Sequence, residues 1–592
     1  MTSLWTSSGG RRNSIVLVVV VAVWGLAVAV LDRPGWPRWI GEEATHVLQA
    51  ESLARDLDAV FDAKDRRRVA SAGVEITGLS LRNGRLDEEP VFARPVFYSA
   101  YLAPFVRLAP ARGPTVANLM LLCLAVGLAS RRLHMRLGWS APWLVGLFLF
   151  TSVVFRYLQV AEPPIFLLAL SVSTFFLVFG LEEPVSEGPS DMYRPLPTRA
   201  RVGWRWGAAG RLLGLMAAFN PVYILLALPA VAAAPRDNRR AALACLSAGL
   251  LAVLALSGLI EWNRAGSWQM PFPEPSSSVL LAAEPLGREP LGDLAGKSLS
   301  SPFEAAPGRP FPVRISGRLT AWNVAYSIAG RHLGLLPYFL PTVLVLGLWT
   351  RGSGRSSLVA ICWLAIGLIA LLSPFDFAGG PTAIGNRWFV PLFGALWFVP
   401  ASQPRPQWLG ITAALAGLFL YPVWLTPAGS PVDSDGSLQH AKSFVASYLP
   451  LETSQRPLPG FGEILGRGAW VRSLRNTVRL QGDGRWQMEG GKPAELLIAA
   501  PLPLDSVYFE FGGGAEPELE VGGGELGNMV LQPNGRVAFH VGGLDPVARH
   551  PAWWDEAEQN FYDVRLRMPG AADSTQVFSV TGLSLPERKT DQ

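Results

Sequence analysis

The feature that most constrains this chain is a series of long, nearly uncharged apolar blocks, of which 14–31 and 408–426 are the clearest. Stretches of ~17–25 largely apolar residues cross a bilayer as helices, because only a helix satisfies its own backbone hydrogen bonds in hydrocarbon. Composition agrees: among 592 residues, 50% are hydrophobic and 16% are charged, against roughly 25% charged in a soluble globular chain. A large water-facing surface needs those missing charges. The chain therefore reads as a polytopic α-helical membrane protein. Soluble enzymes, disordered tails and nucleic-acid readers are excluded as overall readings.

Charge is distributed unevenly. From Pro427 to Gln592 there are 14 Lys/Arg against 21 Asp/Glu, a net of −7, whereas Met1 to Thr426 carries 37 against 25, a net of +12. A basic membrane part with an acidic tail fits two compartments, with the positive residues held on the cytoplasmic side. Cys123, Cys245 and Cys362 all lie inside apolar runs. They form neither a disulfide framework nor a zinc site and read as small buried hydrophobes.

Reading the arginines of short turns as cytoplasmic gives a topology. Arg11 and Arg12 precede 14–31, which reads as an uncleaved signal anchor with its N-terminus inside. An outer loop, 32–112, follows, then spans at 114–130, 140–157 and 165–181, with Glu162 in an outer turn. The block 207–234 is bounded by arginines at both ends, so it reads as two short crossing helices broken at Asn220-Pro221. Spans at 241–260, 334–350, 357–373, 388–402 and 408–426 complete about eleven, with outer loops at 261–333 and 374–387. An odd number places the tail outside. Residues 427–490 read as a connector with one helix around 437–449, and 491–592 as an extracytoplasmic β-sandwich. Ser506–Phe511, Glu518–Val521, Arg536–Val541 and Tyr562–Met568 are β-rich and separated by Gly- and Asn-Gly-type turns. Trp553 and Trp554 offer rings to stack on a sugar, against the ordinary role of tryptophans split between sandwich core and surface.

Polar residues collect at the outer apolar boundaries. Glu42 and Glu43 open a helix whose apolar Val47, Ala50, Leu53, Ala54, Leu57 and Phe61 recur at helical spacing, as on a helix lying along a membrane surface. Carboxylates are favoured at a helix N-terminus, and His46 lies one turn on from Glu42. Glu162 precedes two prolines, Arg331-His332 opens one span and Asn386-Arg387 another. Taken singly, such cations are interfacial anchors. Together, acids and arginines on one face suit a phosphate, which a planar guanidinium grips bidentately. Ionisable residues are absent from the middle of most spans, which weakens an ion-pump or proton-relay reading.

These segments resemble the GT-C superfamily of membrane glycosyltransferases, with protein O-mannosyltransferases and lipid A aminoarabinose transferases as the nearest likenesses. The family's Gly-Asp-Glu-Pro-x-Tyr-Leu start is matched by Gly41-Glu42-Glu43-Ala44-Thr45-His46-Val47, followed by Ser52-Leu53 and Asp56/Asp58. Glu42 replaces the usual Asp, and Ala44 and His46 replace Pro and Tyr. Glu162 matches the acid of the second outer loop, and the likeness covers about 14–426.

The resemblance implies inverting transfer of a sugar from a polyprenyl-phosphate donor to an envelope glycan, lipid or protein acceptor, at the outer face of a bacterial cytoplasmic membrane. It implies Glu42 as general base with Glu43 in support. Arg387, with Arg331 or His332, would stabilise the leaving phosphate, and His46, Glu162 and Asn386 would line the substrate site. No metal ligand set or cofactor is assigned; the donor itself replaces a nucleotide, and no nucleotide-binding fingerprint of the GxGxxG kind occurs in a strand–helix setting. Two readings stand beside this one: a flippase of lipid-linked glycans, which needs a continuous polar path, and a non-catalytic envelope scaffold that presents its tail.

Overall fold

The computed structural model describes residues 2–30, 38–179, 199–265, 280–282, 316–425, 443–455 and 462–584, with brief breaks inside these ranges. Trp553 and Trp554, most of the 261–333 loop and most of 437–449 lie outside the described residues.

Among the described residues, four helices are long and apolar enough to cross a membrane: Arg12–Val30, Gly113–Leu137, Arg239–Arg264 and Pro406–Leu425. Their surroundings differ. Gly113–Leu137 is 61% buried over its apolar window and forms the middle of the core, while Arg239–Arg264 is only 11% buried and turns Leu251, Leu256 and Leu259 outward. The remaining apolar helices are shorter: Val96–Leu108, Ala141–Phe150, Pro164–Phe179, Pro221–Ala232 and Ser356–Leu372.

Several expected full-length spans are therefore broken, and prolines account for the breaks because each removes a backbone donor and crowds the preceding turn. The 334–350 block divides into Leu335–Tyr338 and Pro341–Gly347, and the 388–402 block is a turn, Arg387–Phe389, followed by Val390–Leu396. The break at Asn220-Pro221 falls where expected, with the Asn220 side chain accepting from Val222 N at 3.0 Å. Its first arm, however, is the 21-residue helix Arg199–Phe219. That helix packs backbone to backbone on Arg239–Ala265: a Cβ on Gly210 would lie 2.1 Å from the Leu246 carbonyl oxygen. Small residues permit such approach between apolar helices.

The helix expected along the membrane surface runs Glu42–Arg55 and is instead buried along most of its length, on its polar as well as its apolar face, with Val96–Leu108 packed against it. It stops before the last two positions of its apolar pattern. Ser52 Oγ donates to Asp58 Oδ1 at 2.6 Å and folds the chain back, leaving Leu57 88% exposed while Phe61 is buried.

The tail is a two-sheet antiparallel sandwich. One sheet includes Gly462–Gly466, Ala469–Ser473, Ala494–Ala500 and Asp555–Arg567; the other includes Trp486–Glu489, Ser506–Phe511, Arg536–His540 and Thr575–Ser584. Trp486, Val507, Phe509, Ile498 and Leu566 meet in its core. The sandwich thus begins at 462, inside the segment expected to be connector. The Ala469–Ser473 strand is buried at every position, so it lacks the alternation by which a half-exposed strand is recognised. Within 437–449 the described structure is a single turn, Val445–Tyr448.

Candidate active site

Helix geometry puts Glu42 and His46 on one face, because residues four apart are neighbours on a helix. What faces them comes from three distant segments. Arg387 Nη2 lies 2.7 Å from Glu42 Oε1, and Arg387 Nη1 donates to Glu162 Oε2 at 3.1 Å. Arg94 also pairs with Glu42 Oε1. Glu43, next along the helix, accepts from Ala161 N at 3.2 Å and so ties the helix to the turn that holds Glu162. All of these side chains except Arg94 are at least four-fifths buried.

Each segment is held by its own polar contacts. Asn118, in the middle of the core, donates to Val160 O at 3.0 Å and Leu158 O at 3.3 Å and accepts from Tyr98 Oη at 3.0 Å. It thereby fixes the approach to Glu162. Arg387 N donates to Ala378 O at 3.0 Å, and Asn386 Nδ2 to Phe377 O at 3.2 Å. Gly379 has φ +91, and a Cβ there would lie 2.3 Å from Arg387 Cγ and Nε, so this glycine forms the floor under the guanidinium.

The electrostatics follow from burial and neighbours. Burial pushes the Glu42 carboxyl up, but Arg387 and Arg94 outweigh it and hold the group below its usual range. Glu162 shifts the other way. Burial raises it, Arg387 offsets only part, and Glu42 and Glu43 raise it further. Burial also lowers His46, to about 3, with Glu42 opposing and Arg94 and Arg387 assisting, so its ring is neutral. Arg387 stays cationic: the cost of burial is more than offset by Glu42, Glu162 and Asp376. The node nevertheless has unspent polar groups. Arg387 Nε, Arg94 Nε and Asn386 Oδ1 are buried with no hydrogen-bond partner among the described residues.

The structure thus brings together Glu42, Glu43, His46, Glu162 and Arg387, with Asn386 beside them. It places Arg331 and His332 elsewhere. Arg331 N donates to Pro450 O at 2.9 Å and its Nη1 lies 3.9 Å from Asp563 Oδ2, while His332 N donates to Glu452 Oε1 at 2.7 Å. These two residues seat the tail on the helical part, while the His332 carbonyl, accepting from Gly385 N at 2.9 Å, reaches towards the Arg387 loop. A cation at an apolar boundary signals either role, and sequence position does not separate them. Arg94 carries the same signal, two residues before Val96–Leu108, but sits inside a long polar loop where arginines say little about side. Asp56 and Asp58 of the family-like stretch serve the turn after the helix: Asp56 pairs with Arg68. Among the described residues no three His, Cys, Asp or Glu side chains converge as a metal site. No family model matches the chain, and no curated protein or solved structure is significantly similar to it.

Proposed function

We propose that this protein is a membrane glycosyltransferase that moves a sugar from a polyprenyl-phosphate donor to an envelope acceptor at the outer membrane face. The observation that carries the reading is the pair Arg94 and Arg387, each with a buried, unsatisfied Nε donor, held on a carboxylate beside apolar helices. Buried unsatisfied donors are rare and need an explanation. An anion with several acceptor oxygens supplies one, and guanidinium forks match phosphate. Donor phosphate would take over contacts now made by Glu42 and leave that carboxylate facing the sugar. Positive charge at the bridging oxygen then stabilises the departing lipid phosphate as the acceptor hydroxyl attacks the anomeric carbon.

The test is transfer from a radiolabelled polyprenyl-phosphate hexose by the full chain in lipid vesicles. Arg387→Ala removes one charged hydrogen-bonding partner, worth about 1.5–3 kcal/mol or roughly tenfold to a hundredfold in donor use. Arg405→Ala, at an exposed position, leaves transfer unchanged. Equal effects of the two changes remove the phosphate role of Arg387. A second reading, a structural scaffold, is favoured by the mutual neutralisation of Glu42, Glu162 and Arg387, and wild-type protein inert in this assay supports it.

A further inference from the structure

A chain of buried polar groups behind the charged node fixes the protonation of His46. Gln49 Nε2 donates to the Arg94 carbonyl at 3.2 Å, which orients the amide and turns its Oε1 to Ser99. Ser99 Oγ donates its one proton to that Oε1 at 2.7 Å. The remaining contact, 3.1 Å between Ser99 Oγ and His46 Nδ1, must then be made with the histidine as donor. The ring carries its proton on Nδ1 and keeps a lone pair on Nε2. Gln49 and Ser99 are fully buried and His46 is 1% exposed, so water does not scramble this assignment. Tyr98 meets the ring edge-on, centroids 5.2 Å apart, and limits its rotation.

Such an arrangement is costly to build without a use. Three side chains are withdrawn from solvent to hold one tautomer, which is how a base is aimed when its other nitrogen does the work. Without donor, Arg387 and Arg94 both hold the Glu42 Oε1; once donor phosphate takes over those contacts, the carboxylate charge is free to favour an imidazolium on the same helix face.

We propose that His46, through Nε2, accepts the proton of the acceptor hydroxyl, and that Glu42 faces the imidazolium that forms. This rests on the glycosyl-transfer reading above. In the step, the hydroxyl oxygen bonds to the anomeric carbon as its proton passes to Nε2. The bond from that carbon to the phosphate oxygen breaks, and the lipid phosphate leaves with the electron pair. The charged groups acting on the ring are Glu42, Arg94 and Arg387. Donor phosphate on the two arginines offsets the cations that disfavour imidazolium while Glu42 continues to favour it, so donor binding primes the base.

The chain has six histidines, and nitrogen-15 spectra of histidine-labelled full-length protein in detergent separate the tautomers. One neutral ring protonated at Nδ1 is expected that does not titrate between about pH 5 and 8 and disappears in His46→Asn. Ser99→Ala, which deletes the acceptor for Nδ1–H, should release that ring to the other tautomer. In the vesicle assay His46→Asn, whose amide still donates to Ser99 but lacks Nε2, should lose ~10²–10⁴-fold in transfer rate with donor binding retained. Glu42→Gln should lose less. A His46 ring protonated at Nε2, or His46→Asn transferring at the wild-type rate, overturns the proposal and returns the base to Glu42. Wild-type protein that transfers nothing removes the glycosyl-transfer reading instead, so the two failures are distinct.

Discussion

Gly379→Ala tests the charged node without touching any charge. At φ +91 an alanine pays the left-handed backbone penalty, roughly 1–2 kcal/mol. Its methyl would also stand 2.3 Å from Arg387 Cγ and Nε and 2.8 Å from Cδ. To reach ordinary van der Waals separation, the arginine must retreat by about 1 Å. Its contacts to Glu42 and Glu162 are 2.7 Å and 3.1 Å, so a displacement of that size takes both towards or beyond hydrogen-bonding range. A catalytic group misplaced by ~1 Å costs about 10²-fold in rate, and weakening a buried pair adds to the loss of stability, towards a limit of ~3–5 kcal/mol. The control is Gly138→Ala. Gly138 also has positive φ, +60, but a Cβ there would meet only Gln403 Nε2, at 3.6 Å. It carries a backbone penalty of its own, at φ +60 and ψ −136, without the clash. Both variants are compared with wild type by half-inactivation temperature and by binding of the lipid donor in vesicles. Gly379→Ala should be the less stable of the two and should alone lose donor binding. Equal stability loss with unchanged binding in both would refute the idea that this glycine seats the guanidinium.

Glu452 is buried under His332 and Leu333, and burial pushes its carboxyl up to about 7 from an ordinary 4.5, against the pull of the two backbone N–H groups and Arg331. A folded value above the unfolded one stabilises at low pH, and that stability is lost as pH rises from about 4.5 through 7. Resistance of the tail to proteolysis should therefore fall over this window and become flat in Glu452→Gln; a wild-type profile no steeper than the variant's contradicts it. Asn118→Leu strands the Tyr98 hydroxyl and the carbonyls of Leu158 and Val160, at about 1–3 kcal/mol per buried group left unpaired. It should lower the half-inactivation temperature and loosen Glu162, whereas an unchanged temperature would show that the turn does not depend on it. Alkaline phosphatase fused after Gln592 should be active if the charge alternation reads the topology correctly, and an inactive fusion with a bright cytoplasmic reporter would reverse it.

Some of this protein was legible one residue at a time. Apolar blocks such as 14–31 and 408–426 specify long helices on their own, because a long uncharged run suits the one local structure that satisfies its backbone hydrogen bonds internally. The strand-rich tail, the break at Asn220-Pro221 and the gathering of acids and arginines at apolar boundaries were visible in the same way. Tertiary structure decided the rest. Arg331 and Arg387 carry identical local signals, yet one seats the tail and the other joins Glu42 and Glu162, because only the folding of distant loops determines which carboxylate each meets. Arg94 entered the node from a loop whose charge has no topological meaning. The strand Ala469–Ser473 was hidden because burial on both faces removes the period of two that announces a strand. The tautomer of His46 is the furthest from the sequence. It depends on Gln49, Ser99 and the Arg94 carbonyl meeting in the right order of donor and acceptor, and hydrogen-bond direction is a property of three-dimensional neighbours that no spacing along a chain encodes.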